Sequence, residues 1–145
     1  MKLAIGCEHC GFSMKQKMLP MLEQQHTVTD LGCYSADMVD FPDVASRVCA
    51  AIKSGEADRG IMFCSTGIGA AIACNKIKGI RAGLCHDTYC AHQAVEHDDI
   101  QVLCIGAEVI GWHLAEEVVK TFLAARFSGE EEFRIRLEKL DRLEE

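Results

Sequence analysis

The 145-residue sequence lacks any apolar run that approaches the roughly 18 residues needed to cross a membrane. Its amino terminus, MKLAIGCEHCG, lacks the apolar core and the small-residue cleavage site of a secretory signal peptide. No basic stripe is present and the net charge is −7, which argues against nucleic acid as the main partner. We therefore expect a cytoplasmic protein with neither a membrane nor a nucleic-acid partner.

Two nucleotide-binding motifs are also missing, namely the G-x-G-x-x-G fingerprint of dinucleotide sites and the P-loop with its Gly-Lys-Ser/Thr ending. The chain contains no linker-like segment, low-complexity tract or internal repeat. With 49% hydrophobic and 26% charged residues, it has the composition of a globular protein. Its length fits one domain, which we expect to span residues 1–145.

Cysteine, by contrast, is abundant. Nine cysteines are an odd number at irregular spacing, without the density of a secreted disulfide scaffold, so most are expected to be small core residues in a reducing compartment. Cys7 and Cys10 form a lone C-x-x-C, and no second copy exists to complete a structural zinc site. A redox pair or metal protein that uses Cys7 and Cys10 is an alternative, which elemental analysis would test.

Short apolar runs alternate with longer amphipathic runs along the chain. This predicts strands at Lys2–Gly6, Thr27–Leu31, Arg59–Cys64, Ile80–Cys85 and Gln101–Ile105. It predicts helices at Phe12–Gln25 with an interruption near Pro20, from Asp40 to Ser54, from the Gly-rich loop to Lys76, and at Thr88–Glu96, Gly111–Arg126 and Glu130–Glu145. The expected fold class is α/β, a three-layer α/β/α, Rossmann-like domain with a five-stranded parallel sheet. The last helix carries an apolar stripe that needs a surface, on its own domain or on a second subunit.

The most informative segment is GIMFCSTGIGAAIACNK, residues 60–76. An apolar strand ends at Cys64, a Ser-Thr-Gly-Ile-Gly turn follows, and a helix begins. Backbone N–H groups of such a turn, together with the helix dipole, favour a bound anion, and a thiol beside them can become a thiolate. The segment therefore offers a base or nucleophile next to an oxyanion hole. The alternative is a tight strand-to-helix turn with a buried cysteine.

Other candidate residues flank neighbouring strands. In parallel sheets ligands bind outside the carboxyl ends of the strands, where residues 7–9, 64–69 and 86–87 are predicted to lie. His9 is a candidate phosphate ligand or acid/base, or else a surface histidine. His97 lies in the polar run Glu-His-Asp-Asp before the fifth strand and is either functional or solvated. The remaining histidines, His86, His92 and His113, are expected to be structural or exposed.

Four sequence blocks occur in order along the chain: KLAIGCEHCGF, DFPDVA, GIMFCSTGIGAAIACNKIKGIRAGLC and EHDDIQVLCIGAEVIG. Together they resemble the ribose-5-phosphate isomerase B family, which also includes the galactose-6-phosphate isomerase subunits. The first is similar to that family's Gly-(Cys/Ser)-Asp-His-x-Gly-(Phe/Tyr), the second to Asp-Tyr-Pro-Asp-x-Ala. The third is similar to Gly-Ile-x-x-Cys-Gly-Thr-Gly-x-Gly with Ala-Asn-Lys and Gly-Ile-Arg-Ala, and the fourth to His-Asn-Asp-x-Asn-Val. The resemblance covers nearly the whole chain.

The resemblance implies metal-free, cofactor-free aldose–ketose isomerisation of a sugar phosphate, with ribose 5-phosphate and ribulose 5-phosphate favoured. It implies that Cys64 is the base that moves a proton between C1 and C2, that Thr66 shuttles protons between O1 and O2, and that His97 assists ring opening. The enediolate would be held by N–H groups of the loop, and the sugar and phosphate by further side chains. The implied substrate-binding residues are Glu8, His9, Ser65, Gly67, Ile68, Gly69, Asp98 and Arg136.

Several positions depart from the family pattern. Glu8 replaces an aspartate, and Asp98 and Gln101 replace asparagines. Glu108 and Glu132 stand where the pattern has phosphate-binding arginines, and Phe133 replaces a histidine, whereas Arg136 remains. Replacing two cations by carboxylates should weaken phosphate affinity.

The resemblance also implies a homodimer in which the His97 region and the C-terminal arginines reach into the neighbour's pocket. Two alternatives to a ribose 5-phosphate isomerase remain. One is an isomerase of a tetrose or hexose phosphate. The other is a non-catalytic sugar-binding subunit on the same scaffold, which the altered phosphate ligands suggest and the retained Cys64, Thr66 and His97 argue against.

Overall fold

A parallel five-stranded sheet forms the centre of the computed structural model, which describes residues 1–144. The strands are β1 (Lys2–Cys7), β2 (Thr27–Asp30), β3 (Arg59–Cys64), β4 (Ala82–Leu84) and β5 (Val102–Gly106). The helices are α1 (Phe12–Glu23), α2 (Phe41–Lys53), α3 (Ile68–Asn75), α4 (Thr88–Glu96), α5 (Trp112–Ala124) and α6 (Glu131–Asp141), with 3₁₀ turns at His9–Gly11 and Arg142–Glu144. The predicted α/β class and five-stranded parallel sheet are confirmed.

The strand order is β2-β1-β3-β5-β4, with every neighbouring pair parallel. The chain moves outward from β1 to β2 in one direction and from β3 towards β5 and β4 in the other. The carboxyl ends of β1 and β3 therefore flank the switch point of the sheet, where ligands of open α/β sheets bind. The two strands end in register, because Cys7 lies opposite Phe63 and the N–H of Glu8 donates to the Phe63 carbonyl at 3.1 Å.

Two apolar layers cover the two faces of the sheet. Alternate residues of β1 face opposite layers, so that Leu3 and Ile5 pack with one cluster and Ala4 with the other. The first cluster receives side chains from α1, α4 and α5, including Met18, and the second from α2 and α3, including Val44. Most cysteines lie in these layers, as expected: Cys7, Cys33, Cys49, Cys64, Cys74, Cys85 and Cys104 are buried.

Most predicted elements end within one or two residues of the observed ones, and two differences have a clear physical cause. α1 continues through Pro20 without a break, because the packing of Met18 and Leu22 in the apolar layer outweighs the helical hydrogen bond that the proline removes. The fourth strand is limited to Ala82–Leu84 rather than 80–85, because the Arg81 N–H donates to the side-chain oxygen of Gln101 at 2.7 Å instead of to a neighbouring strand.

The C-terminal helix α6 begins at Glu131, and the predicted helical end at Glu145 lies outside the described residues. Of its predicted apolar stripe, Phe133 is buried, whereas Leu140 is 44% exposed. α6 is attached to the domain by the Phe133 ring and by an ion pair between Arg81 and Asp141 at 3.3 Å. None of the helices described in residues 1–144 has the length and apolar character needed to span a membrane.

Candidate active site

The turn after β3 is built by a left-handed glycine. Gly67 has φ +80° and caps α3, and a Cβ there would lie 2.5 Å from Leu84 Cδ1 and 3.0 Å from the Gly106 nitrogen. Only glycine combines this φ angle with so close an approach to β5. The turn therefore passes directly over the carboxyl ends of β3 and β5, with Cys64 at its start and only 6% exposed.

The turn leaves several backbone donors free. Within residues 1–144, the N–H groups of Ser65, Thr66 and Gly67 donate to no acceptor. The Ile68 N–H donates to Thr66 Oγ1 at 3.2 Å, so the threonine hydroxyl keeps its own proton for another partner. These free donors, the first turn of α3 and the Cys64 thiol are the arrangement expected for an anion that develops beside a base. We call residues 64–69 the catalytic loop, for the role that we propose for them.

At the end of β1, Glu8 and His9 are folded into a 3₁₀ turn. Glu8 is only 5% exposed; its Oε1 accepts the Gly11 N–H at 3.0 Å and its Oε2 lies 3.2 Å from His9 Nδ1. The Val39 N–H approaches the same Nδ1 at 3.4 Å. Glu8 and His9 therefore lie at the switch point. One oxygen of the Glu8 carboxylate is bonded within its own 3₁₀ turn.

Glu108 joins the catalytic loop to this turn. Its Oε2 accepts the Ser65 hydroxyl at 2.8 Å, and the Glu108 N–H donates to the Ser65 carbonyl at 3.0 Å. Loss of hydration, followed by the negative charges of Glu8 and Glu108, raises the pKa of the Cys10 thiol. Glu108, which replaces an expected arginine, therefore lies at the rim of the site and adds negative charge there.

The alternative with Cys7 and Cys10 as a redox or metal pair is not supported by the geometry. The Cys7 thiol points into the core and contacts Cys33, with 3.6 Å between the two Sγ atoms. Burial raises the pKa of Cys7 to about 12, against the lowering effect of Lys15. Cys7 is therefore a core residue. The 3₁₀ turn that follows β1 carries Cys10 away from Cys7 to the rim of the site.

His86 lies at the carboxyl edge of the sheet, where it was expected, and its bond there is structural. Its Nε2 accepts the Gly106 N–H at 2.8 Å, which fixes the neutral ring with its proton on Nδ1. Burial lowers the pKa of His86, and Asp87 opposes this. His86 thus fixes the end of β5 beneath Gly67. The sequence signal for this position is that His86 follows β4, because residues after a parallel strand lie at the carboxyl edge of the sheet.

His97, Asp98 and Arg136 lie elsewhere. α4 starts at the carboxyl edge and runs back, so His97 at its end lies at the amino edge, opposite the catalytic loop. The His97 ring stacks on Phe133 with centroids 4.0 Å apart, and the Arg136 guanidinium lies 5.3 Å from the same ring. We call His97, Asp98, Phe133 and Arg136 the His97 cluster. Within one chain, the His97 cluster therefore does not lie near Cys64.

The rim of the catalytic loop is apolar as well as polar. Ile68 and Ile72, one turn apart on α3, are 52% and 54% exposed, and Leu84 beside Gly67 is 40% exposed. A cavity of about 200 Å³ adjoins Cys10 between α1 and Trp112, whereas a cavity of about 510 Å³ lies between the ends of α1 and α5, near His26. The larger of these two cavities is remote from the catalytic loop.

The doubly covered parallel sheet and the turn at its switch point define an α/β protein with a small-molecule site at the sheet edge. Residues 3–140 match a family described as Ribose/Galactose Isomerase. Ribose-5-phosphate isomerase B of Escherichia coli (strain K12) is 40% identical over 129 residues, 88% of this chain and 87% of that protein. D-erythrulose-4-phosphate isomerase of Pectobacterium atrosepticum is 42% identical over 134 residues, 89% of this chain and 86% of that protein.

The structure of Clostridium thermocellum ribose-5-phosphate isomerase B superposes with a TM-score of 0.97 at 40% identity, covering 99% of this chain and 97% of that one. The chain belongs to the ribose/galactose isomerase family. It is therefore an isomerase, and the resemblance recognised from its sequence motifs is confirmed.

Proposed function

We propose that this protein interconverts ribose 5-phosphate and ribulose 5-phosphate through an enediolate. The observation that carries the proposal is the position of Cys64 beside the free N–H groups of the catalytic loop. A proton next to a carbonyl becomes acidic only when the enolate oxygen is stabilised, so the base and the anion hole must adjoin. The family membership supports the same reaction class.

In the proposed mechanism, the Cys64 thiolate removes the proton from C2 of the open-chain aldose and returns it to C1. The N–H groups of Ser65, Thr66 and Gly67 donate to the oxygen on which negative charge develops. The Thr66 hydroxyl, whose oxygen already accepts the Ile68 N–H, transfers protons between O1 and O2. Glu8, His9 and Gly69 line the switch point, where the sugar hydroxyls would lie.

We further propose that the active unit is a homodimer whose sites are shared. The His97 cluster and the catalytic loop lie at opposite edges of one sheet, so His97 can open the sugar ring only at the catalytic loop of a second copy. Exposed Ile68, Ile72 and Leu84 beside the loop offer an apolar surface that such a copy would cover. His97, Asp98 and Arg136 would then come from the partner.

Other aldose phosphates are alternative substrates for the same class of reaction. One relative is a D-erythrulose-4-phosphate isomerase, and the family description includes galactose. Glu108 lies at the rim through its bond to Ser65, and Glu132 lies 3.5 Å from Arg136. Both carboxylates reduce the positive charge available for the phosphate of any of these sugars. The second candidate, a tetrose or hexose phosphate, therefore rests on the relatives and not on these two residues.

The test is a panel of aldose phosphates with three to six carbons, measured by formation of the corresponding ketose. We expect the highest kcat/KM for ribose 5-phosphate. A higher value for a tetrose or hexose phosphate would replace the proposed substrate and keep the reaction class. Absence of turnover with every member, together with binding of the same sugars in a calorimeter, would support the non-catalytic sugar-binding alternative instead.

A further inference from the structure

The His97 ring is stacked on the ring of Phe133. The two rings are nearly parallel, with 12° between their planes and 4.0 Å between their centroids. Glu96 is the other polar neighbour, but its Oε2 lies 3.9 Å from His97 Nε2, beyond hydrogen-bond distance. The same oxygen lies 2.9 Å from His92 Nε2 and accepts Gln93 Nε2 at 3.2 Å. The orientation of the His97 ring is therefore set by stacking rather than by a hydrogen bond to Glu96.

The backbone on both sides of His97 is held by hydrogen bonds. The Glu96 carbonyl accepts the N–H of Ser128 at 3.0 Å, and the Asp98 carbonyl accepts Arg81 Nε at 3.0 Å. The freedom that remains to His97 is rotation of its side chain, which is 38% exposed. A flat ring packed 4.0 Å away restricts that rotation from one face. The stack does not occupy the two ring nitrogens, because they lie at the edge of the imidazole.

The Phe133 ring also contacts Arg136, one turn further along α6. The guanidinium carbon of Arg136 lies over the ring, 5.3 Å from its centroid, an arrangement that suits a planar cation. Phe133 is buried, whereas Ile135 and Leu140 of the same helix are exposed. One buried side chain of α6 therefore contacts both His97 and Arg136, the two residues that the proposed dimer brings to the site of a second copy.

We propose that Phe133 is a positioning residue, which holds the His97 ring in the orientation that it needs at the catalytic loop of the second copy. This inference rests on the proposed function, in which His97 opens the sugar ring. Phe133 stands where the family pattern has a histidine. Phenylalanine has no N–H, no lone pair and no charge, so it neither competes for the nitrogens of His97 nor repels Arg136 when the pH falls. The substitution therefore keeps a stacking surface and leaves the His97 nitrogens to the substrate.

The test combines NMR of the histidine ring protons with kinetics, both on the full chain. The His97 signals are identified by their loss in His97→Gln. In the wild type we expect nuclear Overhauser effects between the ring protons of His97 and Phe133, and an upfield ring-current shift of the His97 signals. Phe133→Leu should remove that shift and lower kcat/KM by about three- to tenfold, the equivalent of one lost aromatic pair. Phe133→Tyr, which keeps the ring, should restore both the shift and kcat/KM.

Phe122→Leu is the matched control, because it removes another buried phenylalanine ring, on α5. At a temperature at which both leucine variants are folded, it should leave the His97 signals and kcat/KM unchanged. The proposal is overturned if the wild type shows no Overhauser effect between the two rings, or if Phe133→Leu keeps the wild-type kcat/KM. It is also overturned if Phe133→Leu lowers kcat/KM while the His97 signals stay in place. The wild-type spectrum does not depend on whether any variant folds.

Failure of the proposed function gives a different result. The kinetics use the aldose phosphate that the wild type turns over fastest in the panel described above. If the wild type turns over no member of the panel, the proposed function fails. The Overhauser effects and the shift in Phe133→Leu still show whether Phe133 holds the His97 ring.

Discussion

At the scale of single residues, Cys64 belongs to the core as well as to the site. The sequence predicted a thiol at the end of a strand beside a Gly-rich turn, with a buried cysteine in a tight turn as the alternative. In the structure, the side chain is 6% exposed and packs with Ala70 and Cys104. Replacing it by alanine therefore costs stability, on the order of 1 kcal/mol for a small buried side chain. Loss of activity in such a variant must be compared with an equally buried cysteine elsewhere.

His86 gives a pH dependence with a definite sign. Burial lowers its pKa below the value of about 6.5 that an unfolded chain shows, so at lower pH the unfolded state binds a proton that the folded state does not. The free energy of unfolding should therefore fall as the pH falls below about 6.5. His86→Gln, which cannot be protonated, should reduce that fall, as measured by urea denaturation between about pH 7.5 and 5.5.

His113→Gln is the control for this experiment, because His113 is exposed on α5 and should leave the slope unchanged. The pKa of His26 is also lowered by burial, and its contribution is common to wild type and both variants. An identical slope in wild type and His86→Gln would show that the bond from the Gly106 N–H does not hold His86 neutral.

The pair of Glu132 and Arg136 tests the altered phosphate ligands. Arg136 Nη2 lies 3.5 Å from Glu132 Oε2, and both side chains are largely exposed. If Arg136 binds the phosphate, Arg136→Ala should raise KM by about one to two orders of magnitude, the equivalent of a lost hydrogen bond to a charged group. Glu132→Gln should lower KM, and Glu138→Gln on the same helix should leave it unchanged. An unaltered KM in both Arg136→Ala and Glu132→Gln would show that α6 does not contribute to the site.

Sequence reasoning located residues whose role depends on their neighbours in the chain. Cys64 ends a strand and Thr66 and Glu8 follow one, and the end of a parallel strand is recognisable from its apolar run. The interactions of Cys10 and His86 were not predicted, because their partners, Glu108 and the Gly106 N–H, come from a distant part of the chain. Only the strand order brings these partners together.

At the scale of elements, the turn between β3 and α3 depends on Gly67. Gly55 has nearly the same backbone angle, φ +78° against φ +80°, but a Cβ on Gly55 would meet nothing within 4 Å. Gly55→Ala should cost about 1–2 kcal/mol, the strain of a left-handed alanine. Gly67→Ala should cost about 1–3 kcal/mol more, because its Cβ also overlaps Leu84 and approaches Gly106.

The comparison is made by urea denaturation of the two variants. Equal losses in Gly55→Ala and Gly67→Ala would mean that the close approach to β5 contributes nothing. Gly67→Ala should also reduce turnover, since any shift of the turn displaces the free N–H groups of Ser65 and Thr66.

The limits of sequence reasoning at this scale are visible in β4 and α1. Apolar character predicted a strand from Ile80 to Cys85. Because the Arg81 N–H donates to the Gln101 side chain, pairing with β5 begins only at Ala82. Pro20 predicted an interruption of α1, yet the packing of Met18 and Leu22 on the sheet holds the helix through it. In both cases a distant contact outweighed the local signal.

At the scale of the whole molecule, the catalytic loop and the His97 cluster lie at opposite edges of one sheet. The residues of the motifs do not themselves give this separation, which the family resemblance implied through a site shared by two subunits and which follows in the structure from the direction of α4. A shared site predicts that mixed dimers recover activity. Cys64→Ala and His97→Ala, each inactive on a cyclising pentose phosphate, should regain about one quarter of wild-type activity after equimolar unfolding and refolding together.

The fraction follows from the geometry of a twofold dimer. Half of the dimers are mixed, and each mixed dimer holds one intact site, formed by Cys64 of one copy and His97 of the other. Cys64→Ala mixed with a second Cys64 variant, Cys64→Ser, is the control and should recover nothing. Absence of recovery in the first mixture would place both residues of each site in one chain, or remove one of them from the site.

The most direct test of the account is hydrogen exchange at C2 of ribose 5-phosphate in D₂O, followed by NMR. The wild-type protein should introduce deuterium at C2 of the aldose, since a base-catalysed enediolate exchanges its proton with solvent. Cys64→Ala should abolish exchange, while Cys49→Ala, which truncates an equally buried cysteine on α2, should keep it. Exchange that persists in Cys64→Ala would contradict the claim that Cys64 transfers this proton.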